Sequence, residues 1–459
     1  MQPLVLRSAI IAALGGLLFG FDTAVISGTT TDLERVFDLN GFWLGFTVTT
    51  ALIGTVIGAA VAGLGKPADV YGRKPVLFVI GILYIISALG SALATDWIVF
   101  MIFRFLGGLG VGAATAVAPI YNAEVAPPKH RGRLVGLFQF NIVIGILVAY
   151  LSNFAILGLF PDETAWRWMF GVEAVPALVF FLLLFLVPES PRWLMAMGRN
   201  DEAREIISRL SADEEEARFQ REEIEEALRE EEEGPNVPFF TSGHRKVILL
   251  AFAIAAFNQL SGINAVLYYA PTIMQDAGLG ESAAFLSSAG VGIANLIATV
   301  AALLIIDKVG RKFLMKVCAG FYLVTLGTLS TMFFVYGGNF SGLTGGVVVV
   351  MLMLFVGGHA FGQGAVIWVF ISEIFPTAIR ARGQSWGALT HWGFAAAISW
   401  SFPAIAATAG GGVAFGFFFL CGVAMTLWVL KVMPETKGIP LEEMQKTLGL
   451  SDSAAMKAE

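Results

Sequence analysis

Runs of about 20 apolar residues follow one another along almost the whole chain, and that feature excludes most folds. Inside a bilayer every backbone N–H and C=O must be satisfied within the chain, so such runs are either helices or strands of a closed barrel. Barrel strands would be about ten residues long and would alternate in polarity. The runs here are continuous, which predicts an all-α membrane protein of twelve spans, at 8–29, 42–65, 75–95, 97–124, 133–157, 167–187, 246–272, 283–306, 313–336, 346–372, 384–406 and 412–432. Only 14% of the 459 residues are charged, where soluble domains carry about 25%.

The basic residues orient the spans. Lys66, Arg73 and Lys74, then Lys129, Arg131 and Arg133, then Lys308, Arg311 and Lys312, then Arg380 and Arg382 fall in alternate loops, and the opposite loops carry only Arg35 and Arg167. The positive-inside rule therefore predicts a multi-pass cell-membrane protein with both termini in the cytoplasm. Met1 to Ser8 is followed by no small-residue cleavage site, so the first span is expected to be retained. The net charge of −6 comes largely from one acidic segment and points to no nucleic-acid partner. Cys318 and Cys421 lie in or beside spans and read as packing residues. Four scattered histidines show no metal spacing, no GxxxxGK[ST] loop is present, and no nucleophile stands beside a base. No metal, no cofactor and no enzymatic activity are expected. Gly107, Gly108, Gly110 and Gly112 resemble part of a dinucleotide fingerprint, but they follow no strand, and close helix packing is the better reading.

The chain repeats itself. Asp69-Val-Tyr-Gly-Arg-Lys recurs as Asp307-Lys-Val-Gly-Arg-Lys; Glu124 with Arg131 recurs as Glu373 with Arg380; Pro188-Glu189 recurs as Pro434-Glu435. The offsets, 238, 249 and 246 residues, keep one order. A duplicated six-helix unit follows, of the kind found in secondary transporters with a site near the bilayer midplane. We divide the chain into a first bundle, 1–188, a cytoplasmic helical linker, 189–245, a second bundle, 246–433, and a cytoplasmic tail, 434–459. The linker holds the acidic run from Glu214 to Glu233, with Ile206, Ile207, Leu210, Ile224 and Leu228 at helical spacing, and predicts two to four short amphipathic helices. The repeated Asp69, Arg73, Glu124 and Arg131, with Asp307, Arg311, Glu373 and Arg380, suggest ion-pair clasps that gate the cytoplasmic side, since orientation signals alone do not explain the regularly spaced acids.

Polar side chains inside the spans mark the site. Asp22 in GGLLFGFDTAVISG would cost about 2.5–3.5 kcal/mol at the bilayer centre, so it needs a partner. Arg104, the only basic residue placed well inside a span, is the candidate. Charge ties the two together, and a proton on Asp22 would loosen them, which gives a route from one proton to a conformational bias. The seventh span carries Asn258, Gln259, Ser261, Asn264, Tyr268 and Tyr269, with Gly262 as a point where the backbone can open. Amides donate and accept at once, as the hydroxyls of a neutral polyol require. Gln139, Asn295, Trp368, His391 and Trp392 extend the set, the indoles offering faces on which a sugar ring can stack.

These loops, together with PESPRW at 188–193, RGR at 131–133, QLSGINAVLYYAP at 259–271 and PETKG at 434–438, resemble the sugar porter family of the major facilitator superfamily, and the resemblance runs from Gly15 to Gly438. It implies two six-helix bundles that rock about a central sugar site. It places Gln139, Gln259, Asn264, Asn295 and Trp368 at sugar-binding positions, with Tyr268 and Trp392 lining the same cavity. The proton-coupled members carry an Asp and an Arg at the positions of Asp22 and Arg104. Three departures stand out: Asn258 where many members have a second glutamine, Ala365 where they have proline, and His391 where Asn or Gln is usual. The expected function is monosaccharide transport, hexose or pentose, with proton symport, by a protein functional as a monomer. Sugar uniport and a transporter-shaped nutrient sensor are the alternatives.

Overall fold

The computed structural model describes residues 2–64, 67–233, 237–337, 339–376 and 379–439, with Met444, Lys446 and Leu448. Lys66 and nearly all of the expected tail after Ile439 lie outside the described residues. Those described form helices joined by short turns, with no strand among them.

Among the described residues, eleven helical stretches are long and apolar enough to cross a membrane: Pro3–Gly28, Gly41–Gly63, Arg73–Leu93, Trp97–Val125, Arg131–Leu159, Asp162–Leu186, Arg245–Asp276, Glu281–Val309, Arg311–Tyr336, Gly342–Ile374 and Gly411–Lys431. They are called spans one to ten and span twelve. The expected eleventh span falls within helix Arg380–Ala409, 30 residues and so about 45 Å long, which is less apolar because Arg380, Arg382, Gln384 and His391 share it with several serines and threonines.

Burial follows the helical period. On the third span Val79, Ile82, Ile86, Leu89 and Leu93 form an exposed stripe at steps of three and four residues, while Leu77, Ile80, Tyr84 and Ala88 are buried on the other face. An outward apolar stripe of this kind is what lipid requires and water would punish. Inside, Gly108 and Gly112 of the fourth span abut the backbone carbonyls of Ala51 and Thr55, so the glycine run serves close packing.

The chain divides into two compact units, one of Met1–Asp32 with Thr50–Gly234 and one of Leu33–Thr49 with Pro235–Glu459. The division passes through the second span. In the first unit the core runs from Val5 through Tyr84, Tyr121, Phe138 and Phe180 to Leu210, a residue of the linker. The described residues of that linker form the helices Pro191–Ala196, Asn200–Leu210 and Glu214–Glu233. It is fastened by Trp193 Nε1 donating to the Asp69 carbonyl at 2.8 Å and by Arg131 pairing with Glu223 at 2.9 Å.

The sixth, seventh and tenth spans depart from regular α-helix within their length. The sixth breaks at Glu173, between Asp162–Val172 and Ala174–Leu183. The seventh breaks at Gly262, whose φ of +83° is left-handed, and bends again at Tyr269, two residues ahead of Pro271. The tenth contains a π-helical turn, Ala360–Gly364, a form that concentrates at functional sites.

Candidate functional site

In the first unit, Asp22 and Arg104 meet at depth. Arg104 Nη1 donates to Asp22 Oδ1 at 2.5 Å and Nη2 to Oδ2 at 3.2 Å, and both residues are buried. The pairing is bidentate, the strong geometry for guanidinium and carboxylate. The guanidinium also lies over the Phe170 ring, 5.2 Å from its centroid, so an apolar surface flanks the cation.

The repeated loop residues build the same device twice. In the first unit Arg73 clasps Glu124 through Nε and Nη2, both at 2.8 Å, reaches Asp69 at 3.1 Å, and donates Nη1 to the Ala68 carbonyl. In the second, Arg311 clasps Glu373 at 3.1 and 2.7 Å, reaches Asp307 at 3.1 Å, and donates to the Ile306 carbonyl. Arg131 takes Glu223 of the linker as its partner, and Arg380, half-buried, opens helix Arg380–Ala409.

The Pro-Glu pairs complete each clasp, a role that their sequence pattern does not reveal. Glu189 accepts from the backbone N–H groups of Arg73 and Lys74 at 3.1 and 3.2 Å, and Glu435 accepts from those of Arg311 and Lys312 at 2.9 and 3.0 Å. Each carboxylate thus caps the exposed N–H groups that open a span, where the helix dipole also favours negative charge. Burial pushes the Glu189 carboxyl above the ordinary carboxylate range, opposed by the N–H groups of Ser190, Lys74 and Arg73. Gly72 and Gly310 make the approach feasible: φ is +101° and +93°, and a Cβ would lie 2.5 Å from Glu189 Oε2 and 2.6 Å from Glu435 Oε2. With ψ near 160° at both, this backbone region belongs to glycine almost alone. Gly72→Ala and Gly310→Ala are each expected to cost about 1–3 kcal/mol, read as a lowered melting temperature of the purified protein.

In the second unit the amides of the seventh span gather against helix Arg380–Ala409. Gln259 Nε2 lies 3.0 Å from Asn258 Oδ1 and 3.1 Å from His391 Nε2. The Trp368 ring centroid stands 5.3 Å from that of His391, and the Trp392 ring 4.8 Å from it on another side. Five of the residues singled out from the sequence therefore meet in one place. Asn264 and Tyr268 lie beyond the Gly262 break on Ile263–Asp276, both largely buried, and Asn295 sits on the eighth span, accepting from Thr299. Gln139 is a half-buried residue of the fifth span, in the first unit.

Sequence reasoning passes over several buried polar residues of the spans, Glu173, Gln363 and His359 among them. Glu173, fully enclosed with neither carboxyl oxygen hydrogen-bonded, is open to the same rule that finds Asp22. Gln363, in the π turn, accepts from Asn258. His359, one residue before that turn, meets the Tyr322 hydroxyl through Nδ1 at 2.6 Å.

Comparison with known proteins gives the family. The family model described as sugar (and other) transporter matches residues 8–448. The arabinose-proton symporter of Bacillus subtilis (strain 168) is 37% identical over 440 residues, covering 95% of this chain and 93% of that protein. The D-xylose-proton symporter of Escherichia coli (strain K12) is 36% identical over 474 residues, with coverage of 95% and 94%. Among solved structures, the inward open conformation of the xylose transporter XylE from E. coli superposes with a TM-score of 0.84 at 34% identity, covering 96% of this chain and 99% of that one. With its helical spans, its duplicated clasps and a match along nearly its whole length, the chain belongs to the sugar (and other) transporter family, whose members are transporters and not enzymes.

Proposed function

We propose that this protein moves a monosaccharide, hexose or pentose, across the cell membrane by alternating access, together with a proton, with both termini in the cytoplasm and the monomer as the working unit. The observation that carries the coupled reading is the buried, bidentate Asp22–Arg104 pair. An acid at that depth is retained against an insertion cost, and adding a proton changes which interhelical contacts are favourable. Relatives named as arabinose-proton and D-xylose-proton symporters support the same reading.

The sugar is read in the second unit. Asn258, Gln259, Asn264 and Asn295 present donors and acceptors to its hydroxyls; Trp368 and Trp392 offer ring faces, with Tyr268 and His391 on the same unit, and Gln139 of the fifth span is a further sugar-binding residue in this reading. The break at Gly262 lets one half of the seventh span move without unwinding the other. The clasps of Arg73 with Glu124 and Asp69, and of Arg311 with Glu373 and Asp307, hold the cytoplasmic ends of the spans within each half, with Arg131 and Arg380 on the same face. The halves are 1–188 and 246–433, each carrying one copy of the repeat.

Purified protein in liposomes tests the proposal. Sugar uptake with simultaneous external alkalinisation is the expected result; uptake without proton movement would make the protein a uniporter, and binding without uptake a sensor. Gln259→Ala and Asn264→Ala are each expected to weaken sugar transport several-fold, measured as the concentration for half-maximal uptake. Wild-type affinity in both variants would exclude this cavity as the site.

A further inference from the structure

The buried amides of the second unit form a chain with a direction, and a thioether sets it. Gln363 Nε2 lies 3.2 Å from Met425 Sδ. Thioether sulfur has no proton to donate and can only accept, so Gln363 must turn its NH2 group toward it. Its carbonyl oxygen then faces Asn258, whose Nδ2 donates to it at 3.4 Å. That fixes Asn258 with Oδ1 toward Gln259 Nε2. The second N–H of Gln259 reaches the His391 ring, where the nitrogen it meets is an unprotonated acceptor. Reversing one amide alone would set donor against donor or acceptor against acceptor. Reversing all of them would press a carbonyl oxygen against sulfur. Met425, Gln363, Asn258 and Gln259 are all at most 2% exposed, so the order is enforced where solvent does not compete.

Both N–H groups of Gln259 are thereby committed, while its Oε1 is buried without a hydrogen-bond partner. We infer that Gln363 and Met425 are positioning residues that make Gln259 an obligate acceptor, so that the protein selects a sugar bearing a hydroxyl that donates at that point. The inference rests on the proposed reading that Gln259 faces the sugar. It adds that the polarity of this contact is decided by a sulfur three residues away along the relay, and that the polar occupant of the π turn is part of the substrate-reading apparatus.

The test is a competition panel against one labelled, transported sugar, using its monodeoxy and monodeoxyfluoro analogues position by position. Fluorine can accept weakly but cannot donate, and a deoxy position does neither. In the wild type, at the ring position read by Gln259, both analogues should lose affinity together, leaving their ratio near unity. Met425→Leu nearly conserves volume but removes the acceptor. There the relay is free to reverse, Gln259 can offer an N–H, and the fluoro analogue should outbind the deoxy analogue several-fold at that position while the parent sugar is still bound. Gln363→Leu cuts the relay at its centre and should shift the ratio the same way, which covers the case in which Met425→Leu does not fold. An unchanged ratio in the folded variants overturns the inference, as does a wild type that prefers the fluoro analogue at every position. Wild-type sugar affinity in Gln259→Ala would remove the site reading itself, and the relay with it, which distinguishes the two failures.

Discussion

Asp22→Asn yields a protein that exchanges sugar across a liposome membrane but no longer accumulates it when a proton gradient is imposed. Asparagine keeps an oxygen where Asp22 Oδ1 accepts from Arg104, so one of the two hydrogen bonds between the first and fourth spans persists, while the acceptor for Nη2 and the negative charge are lost. It cannot gain or lose a proton. In the coupled cycle proposed above Asp22 passes through a neutral form, which the substitution resembles, and the Phe170 ring against the guanidinium eases the loss of the counter-charge. Exchange needs only the loaded protein to reorient, whereas accumulation needs the proton to be released on the far side. The accumulation ratio is therefore expected to fall to unity while counterflow of labelled sugar is retained. Full accumulation by Asp22→Asn would remove this pair from the coupling mechanism; loss of exchange as well would assign it a structural role.

Arg73→Ala is expected to be among the most destabilising single changes in the repeated clasps, and more so than its repeat counterpart Arg311→Ala. Breaking a buried pair from one side leaves an uncompensated charge and costs about 3–5 kcal/mol. Glu124 fits that case, with its side chain 9% exposed. Glu373 is 29% exposed and also accepts from Thr436 Oγ1 at 2.6 Å, so water and a second donor remain when Arg311 is lost. Arg73→Lys should recover little, because an ammonium cannot span both Glu124 oxygens, Asp69 and the Ala68 carbonyl as the planar fork does. The double change Arg73→Met with Glu124→Leu should recover most of the loss, since the pair itself contributes little against well-packed apolar residues. Melting temperatures in detergent decide the matter. Equal losses for Arg73→Ala and Arg311→Ala, or a double variant no better than the single, would contradict this account.

Much of the candidate site is legible in the amino-acid sequence. Asp22 and Arg104 are opposite charges in apolar runs of the same half, and Coulomb attraction in a medium that solvates neither leaves them little alternative to pairing. Gly262 amid the polar residues of the seventh span points to a break, and the left-handed φ lies there. The repeated GRK turns point to clasps with Glu124 and Glu373, and Arg73 and Arg311 make them. Other features are visible but mute. The Pro-Glu repeat is plain at 188 and 434, yet nothing local says that Glu189 reaches back 116 residues to the N–H of Arg73.

The sequence by itself determined that this is a bundle of membrane helices, built twice, with polar groups concentrated at a few depths. Solvation by lipid is a local property: a window of about 20 residues either tolerates hydrocarbon or does not, and the window alone carries that information. Only the tertiary structure decided which polar group answers which. Gln363 and Asn258 are 105 residues apart in the chain, and Gln363 and Met425 are 62 apart. Whether an amide donates or accepts depends on what packing sets against it, and a sulfur atom brought to 3.2 Å by the twelfth span decides that for the relay behind Gln259.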